Sequence, residues 1–369
     1  MSATQFSPTS LENTIAMRST AEANRKMVRI WLYFICLLVA AMVVVGGATR
    51  LTDSGLSITE WKPLLGAIPP LNEQDWIDAF AKYKTIPEFT HINPDMDLEG
   101  FKLIYWWEWS HRFLGRFVGI AFFIPMAFFW ATGRLENWLK PRLVLLFVLG
   151  GLQGAIGWWM VKSGLVDRVD VSQYRLAIHL TLACMILLIA MWIARGLTPH
   201  TTAPDATGLQ KQGGLLVLLV MVQIFLGGLV AGLDAGLAFN TWPRMDGAWI
   251  PNDLWIMKPL WVNLFENLKT VQFVHRVSAY LLFAFALFHL IMAVGRDVQR
   301  PHTARAALLF ILILLQAVLG IITLLLQVPF NWAIIHQLGA IIVLGFAAAH
   351  WRGLKGAYPP AVEIRQAGE

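Results

Sequence analysis

Charge and cysteine are both scarce in this chain of 369 residues. Asp, Glu, Lys and Arg make up 14% of it, against roughly 25% in an average soluble domain, while 57% of the residues are hydrophobic. Too little charge remains to solvate a globule of this size, so a soluble enzyme is excluded. The two cysteines, Cys36 and Cys184, both fall inside apolar runs. They support neither a disulfide framework nor a Cys-based metal site. Proline is nearly absent from the apolar runs, Pro125 alone standing well inside one, which weakens any reading as a transporter with broken helices. A small-residue cleavage site after the first run is missing too, and about 29 polar residues precede that run, so a signal peptide is not expected. The N-terminal tail mixes Arg18, Arg25, Lys26 and Arg29 with Glu12 and Glu22, unlike an acid-poor transit peptide.

What the sequence has in abundance is apolar runs of membrane-crossing length, about 20 residues each. Eight are expected to span: Ile30–Ala48, Ile104–Trp130, Leu143–Val161, Leu176–Ala194, Gly213–Leu233, Val271–Val294, Ala306–Leu326 and Trp332–Ala349. The expected fold is an all-α polytopic membrane protein. Basic residues set its orientation: the tail, the short loops near Arg134, Arg195 and Arg296, and the C-terminal segment hold 15 Lys and Arg against 7 Asp and Glu, and the other side holds 11 against 15. Both termini are then expected in the cytoplasm, with the chain in a bacterial inner membrane in preference to a mitochondrial one. The formal charge of +6 reflects topology and implies no nucleic-acid partner.

The chain repeats itself. GGATRLTDSGLSITEW from Gly46 lies over GGLVAGLDAGLAFNTW from Gly227, with Gly, Gly, Asp, Gly, Leu and Trp identical. His111-Arg112 then matches His275-Arg276, LQGAIG matches LQAVLG, and the His179 segment matches the His336 segment. A duplicated four-helix unit follows, giving two pseudo-symmetric four-helix bundles related by an axis along the membrane normal. The expected divisions are a tail over 1–29, a first bundle over 30–195, a linker over 196–212, a second bundle over 213–351 and a tail over 352–369. Two long outward loops, Thr49–Lys102 and Asp234–Thr270, are expected to fold over the mouths of the bundles, although their tryptophans alone also suit an interfacial belt.

Of nine histidines, four occupy equivalent places: His111 and His179 in the first half, His275 and His336 in the second. Each stands one to two turns inside the outer end of the second or fourth helix of its unit. Two helices of a bundle can present imidazoles at one height, the geometry for axial ligation of haem iron. Zinc is the competing metal, but two His per half fall short of a tetrahedral set. Gly150, Gly151, Gly154 and Gly157, with Gly227, Gly228 and Gly320, are expected to leave room for a macrocycle, or to serve ordinary small-residue packing. Arg112 and Arg276 are candidates for haem propionates, or for snorkelling to headgroups. Three residues before the first His of each pair stands Glu108 in one half and Gln272 in the other. A carboxylate inside a span is costly and by default functional, so chemistry is assigned to the first half and a permanent electron-transfer haem to the second. His289 and His350 each follow a ligand candidate by fourteen residues. They could mark a second haem near the inner side, but plain interfacial histidines are the preferred reading.

These motifs resemble the haem A synthase family over about Val28–Arg352: GGATRLTDSGLSITEWKP, IYWWEWSHRFLGR, GWWMVKSGL with YRLAIHL, VAGLDAGLAFNTWPRM, VQFVHR and IIHQLGA. The lack of a cysteine pair in the first outward loop resembles the proteobacterial and mitochondrial branch. The resemblance implies oxidation of the C8 methyl of haem O to a formyl group, by successive hydroxylations to a gem-diol that loses water. It implies that His111 and His179, beside Arg112, hold the haem O substrate, that His275 and His336, beside Arg276, hold a prosthetic haem b, and that Glu108 is catalytic. Haem O synthase and cytochrome oxidase assembly factors are the implied partners, and self-association stays open. A membrane cytochrome b passing electrons from quinol would use the same histidines and is the alternative.

Overall fold

The computed structural model describes residues 8–62, 65–166, 168–198, 207–296 and 300–356. Among these residues regular structure is helical, and eight helices are long and apolar enough to cross a membrane: Ser19–Leu51, Leu98–Ala131, Lys140–Gly164, Gln173–Gly196, Thr207–Gly232, Leu268–Gly295, Arg300–Leu325 and Phe330–Leu354. They correspond one for one with the eight expected runs, and we number the spans in that order.

The ends differ from expectation where polar residues extend a helix past the apolar layer. The first span continues a helix that starts at Pro8, so most of the expected tail is helical. Arg25 fixes this extension on the inner side by pairing both oxygens of Glu136, at 2.6 and 2.9 Å. The second span starts at Leu98, where the Asp97 carboxylate caps it by accepting from the Gly100 backbone N–H at 2.8 Å. The fifth span begins at Thr207, inside the expected 196–212 linker.

Hydropathy marks a span but not which face looks inward, because lipid and protein interior are equally apolar. In the first span the buried face is a stripe at helical spacing, Val28, Trp31, Leu32, Ile35, Val39 and Val43, while Ile30, Phe34 and Leu37 on the other side are exposed. The first span packs on the second and fourth, and the third on the second and fourth. The fifth and seventh spans pack in the same way on the sixth and eighth. Between the halves the fourth span meets the fifth and eighth, and the first meets the eighth. The fourth–fifth contact is close: a Cβ added at Gly228 would lie 3.0 Å from Ala177 Cα, the small-residue approach common between membrane helices.

Each first span ends in the same turn. Asp53 and Asp234, equivalent in the repeat, both take left-handed backbone conformations (φ 47° and 50°), which Asp tolerates better than most residues. Arg50 ties the halves together, its guanidinium reaching Asp53 at 3.0 Å and Asp234 at 2.7 Å. The first long loop builds helices Glu73–Tyr83 and Pro87–His91, and buries Phe80 and Tyr83 with Phe101 and Tyr105 of the second span. The second loop is held by side-chain amides instead: Asn263 donates to the carbonyls of Met257 and Leu260, both at 2.9 Å, and Asn267 to Asp253 at 3.0 Å. Trp61, Trp242, Trp249, Trp255 and Trp261 of the two loops are exposed, as in an interfacial rim.

Candidate haem-binding site

The four histidines are arranged by one device used four times. A glycine on each odd-numbered span faces the imidazole on the span that follows. A Cβ built on Gly46 would come within 2.8 Å of His111 Cε1; on Gly157, 2.9 Å of His179; on Gly227, 3.2 Å of His275; and on Gly320, 2.8 Å of His336. Each ring thus lies edge-on against bare backbone. The remaining glycines proposed to make room behave differently. Gly150, Gly151 and Gly154 are exposed with open space around them, and Gly228 packs helix on helix.

The histidines pair within each half by the packing of their helices. The second and fourth spans both pack on the first and third, and the sixth and eighth both pack on the fifth and seventh. His111 and His179, and likewise His275 and His336, therefore stand on opposite sides of a glycine-bearing pair of spans. All four keep accessible surface despite lying inside the helix bundle, as expected of groups lining an interior cleft. Their height also agrees, His179, His275 and His336 standing six or seven residues into their helices. His111 is further along because its helix extends outward to meet the first loop. Among the described residues no three His, Cys, Asp or Glu side chains gather as a metal cage. Paired imidazoles across an interior cleft, each cradled by a glycine, fit the two axial ligands of a haem.

Sequence reasoning missed what holds the rings. Four residues before the glycine on the third, fifth and seventh spans stand Gln153, Gln223 and Gln316. Their amide nitrogens donate to the backbone carbonyls of His179 (3.0 Å), His275 (3.1 Å) and His336 (2.8 Å), and lie 3.1 to 3.3 Å from ring nitrogens of the same residues. The signal was present, since LQGAIG and LQAVLG both contain the Gln-x-x-x-Gly spacing.

Glu108, only 2% exposed, faces the first outward loop and not the ring of His111. Its Oε2 accepts from the Ser57 hydroxyl at 2.8 Å and the Ile58 backbone N–H at 2.6 Å, and its Oε1 from Arg112 Nε at 3.0 Å and Nη2 at 2.5 Å. Arg112 also donates to the carbonyls of Ile58 (2.7 Å) and Glu60 (3.0 Å). The second half repeats this scaffold: Arg276 donates to Phe239 and Thr241, both at 2.7 Å, and to Gln272 Oε1 at 2.8 Å. Both arginines are therefore engaged by loop backbone, where sequence had suggested propionates or headgroups. The two loops differ in polarity, however. Gln272 donates through Nε2 to the carbonyls of Ala235 (2.7 Å) and Ala238 (2.6 Å), whereas Glu108 meets donors only.

His289 and His350 are buried, each 1% exposed, which corrects the interfacial reading. They bond to each other, Nε2 to Nε2, at 2.8 Å, and His289 Nδ1 meets Gln212 Oε1 at 2.9 Å. Two imidazoles in direct contact satisfy one another and are not spaced for a haem between them.

The model of the COX15-CtaA family, described as cytochrome oxidase assembly protein, matches residues 29–348. The chain belongs to this family. Among its members, the "Heme A synthase" of Mesorhizobium japonicum is 58% identical over 341 residues, 92% of this chain and 94% of that one. The "Heme A synthase" of Chelativorans sp. is 58% identical over 343 residues, 93% and 95% of the two chains. That of Sinorhizobium medicae is 54% identical over 347 residues, again 93% and 95%. The family match covers all four histidines, their glycines, the three glutamines and Glu108.

Proposed function

We propose that this membrane protein is an oxidoreductase converting haem O to haem A, by oxidation of a ring methyl to a formyl group. The observation that supports this reading is the fourfold glycine–histidine contact, in a chain closely similar throughout to proteins named for this reaction. Conversion of a methyl to a formyl group, taking its oxygen from water, removes four electrons and four protons. The enzyme must therefore bind the substrate, dispose of protons and pass electrons on.

Residues 30–195 form the catalytic unit in this reading and residues 213–351 the electron-transfer unit. His111 and His179 hold the haem O substrate. His275 and His336 hold a haem b, which supplies one-electron redox chemistry when bound. Glu108 fixes the strap Ser57–Glu60 over the substrate site. The Ser57 hydroxyl donates to Glu108 at 2.8 Å and so helps to hold that strap. Arg112 and Arg276 lock the two straps to their helices and orient what lies beneath. The inner membrane of a bacterium, with both termini cytoplasmic, is the proposed setting. Haem O synthase and cytochrome oxidase assembly factors are the proposed partners for handover.

Chromatography of haems extracted from the purified protein, expressed with and without a haem O source, tests the proposal. Haem A appearing only with that source is the expected result. Haem B alone under both conditions would refute it and leave an electron-carrying cytochrome.

A further inference from the structure

The pinning amide is absent from one histidine of the four. Met42 stands four residues before Gly46, where the other three odd spans carry Gln153, Gln223 and Gln316. Its methyl end reaches the second span one turn beyond His111, Cε lying 3.6 Å from a Cβ built on Gly115. The glutamines reach the same region of their neighbouring helices, Gln316 Oε1 lying 2.1 Å from a Cβ built on Gly339. Met42 therefore fills the place of the amide without its hydrogen bonds. His111 Nδ1 is buried with no hydrogen-bond partner. His179 Nδ1 also lacks one, but Gln153 reaches its other ring nitrogen at 3.3 Å and its carbonyl at 3.0 Å.

The chemistry of a liganding imidazole makes this difference matter. When one ring nitrogen binds iron, the other carries a proton and needs an acceptor, which fixes the ring and raises its basicity. Gln153, Gln223 and Gln316 each hold an Oε1 that is buried and without a partner, so a carboxamide can serve the ring as donor or as acceptor. A thioether sulfur is only a weak acceptor. We infer that Met42 is a positioning residue that leaves His111 the one weakly held axial imidazole, so that the first-half site, and not the second, can release a ligand and open a coordination position. This inference rests on the reading of the four histidines as axial ligands.

Carbon monoxide binding to the reduced, full-length protein in detergent is the test, because carbon monoxide competes with an axial imidazole independently of turnover. Wild type is expected to show a carbon monoxide-reactive fraction. Met42→Gln is expected to raise the concentration needed for half-saturation about 10- to 100-fold, the usual effect of a hydrogen-bond partner behind a metal ligand. Met42→Leu, which keeps the bulk but adds no amide, is expected to bind as wild type does. Gln223→Met supplies the reciprocal test by creating a second reactive population, and stands alone if Met42→Gln fails to accumulate. Equal carbon monoxide binding in wild type and Met42→Gln, loss in Met42→Leu to match Met42→Gln, or no new population in Gln223→Met would each overturn the inference. Absence of any Soret band in wild type is a separate outcome. It would remove the haem reading itself, and the inference with it.

Discussion

Replacing Gly157 with Ala adds one methyl group directly against the His179 ring. The new Cβ would lie 2.9 Å from Cε1 and 3.5 Å from Nδ1, and real Cβ atoms essentially never approach a heavy atom within 3.0 Å. An imidazole is rigid, so it must turn or the two helices must part. Overpacking of this kind costs about 1–3 kcal/mol, while the helix itself gains only about 1 kcal/mol from exchanging Gly for Ala. The clash therefore wins at the ring. Since each 1.4 kcal/mol is a factor of about ten in an equilibrium constant, haem retention should fall by roughly tenfold. The magnitude is graded along the series: Gly46→Ala and Gly320→Ala, at 2.8 Å, should behave like Gly157→Ala, and Gly227→Ala, at 3.2 Å, should be milder. Gly151→Ala, with nothing within 4 Å and on another face of the helix from Gly157, is the control and should match or slightly exceed wild type in thermal stability. Haem per protein and the low-spin absorption bands of each purified variant provide the measurement. Full haem content with an unaltered spectrum in Gly157→Ala, or an equal loss in Gly151→Ala, would refute the cradle.

Four further outcomes follow from single contacts. Glu108→Gln would set an amide N–H against the Ile58 N–H or leave that donor unmatched, losing charge-assisted bonds worth about 1.5–3 kcal/mol each; haem should still bind, but haem O or a hydroxylated intermediate should accumulate, and normal haem A output would remove Glu108 from the catalytic account. His275→Ala should deplete haem b, and an unchanged low-spin spectrum would count against the second-half assignment. His350→Leu should lower the unfolding temperature, by leaving His289 without its partner, yet leave haem content intact; bleaching would restore a haem at that pair. Burial beside Tyr83 pushes the Glu88 carboxyl from 4.5 up to about 8, so the folded loop favours the protonated form. Its stabilising effect is complete below pH 4.5 and is lost as pH rises towards and through 8. Melting temperature against pH should show that decline in wild type and a flatter profile in Glu88→Gln.

The spans, the repeat and the four histidines could be read from sequence because each depends on composition or on identity at fixed spacing. Span ends were less legible. At Leu98 and Pro8 polar residues prolong helices beyond the apolar run, and only a cap such as Asp97 marks the start. The inward faces were not legible at all, since Leu37 and Leu32 are equally apolar and only packing makes one exposed and the other buried. Nor could sequence separate Gly157, which touches an imidazole, from Gly150 and Gly154, which a 100° step per residue puts within 60° of it but which have open space around them. Arg112 and Arg276 were legible as the residues that follow His111 and His275, but the backbone carbonyls that engage them belong to loops whose course no local pattern specifies.

The repeat unit visible in the structure is smaller than a four-helix half. A hairpin of two spans, with glycine on the first and histidine on the second, occurs four times, and the amide four residues before the glycine occurs in three of them. A duplicated device carries most information where a copy departs from the rule. Here the departures coincide in one hairpin: Met42 replaces the amide beside His111, and Glu108, which faces the first loop, replaces the amide-bearing Gln272 three residues before that histidine. The second half has an amide at each of these positions, Gln223 and Gln272, in keeping with the proposal that it retains its haem. The first half gives up hydrogen bonds to one imidazole and places a carboxylate three residues before it. A site that only had to retain its haem would gain nothing from either change, whereas one that must release a ligand and accept protons requires both. With chemistry in the hairpin formed by the first two spans, as proposed, the double variant Met42→Gln/Glu108→Gln should convert that hairpin into a second haem-retaining unit, with bound haem preserved and both carbon monoxide binding and haem A formation lost.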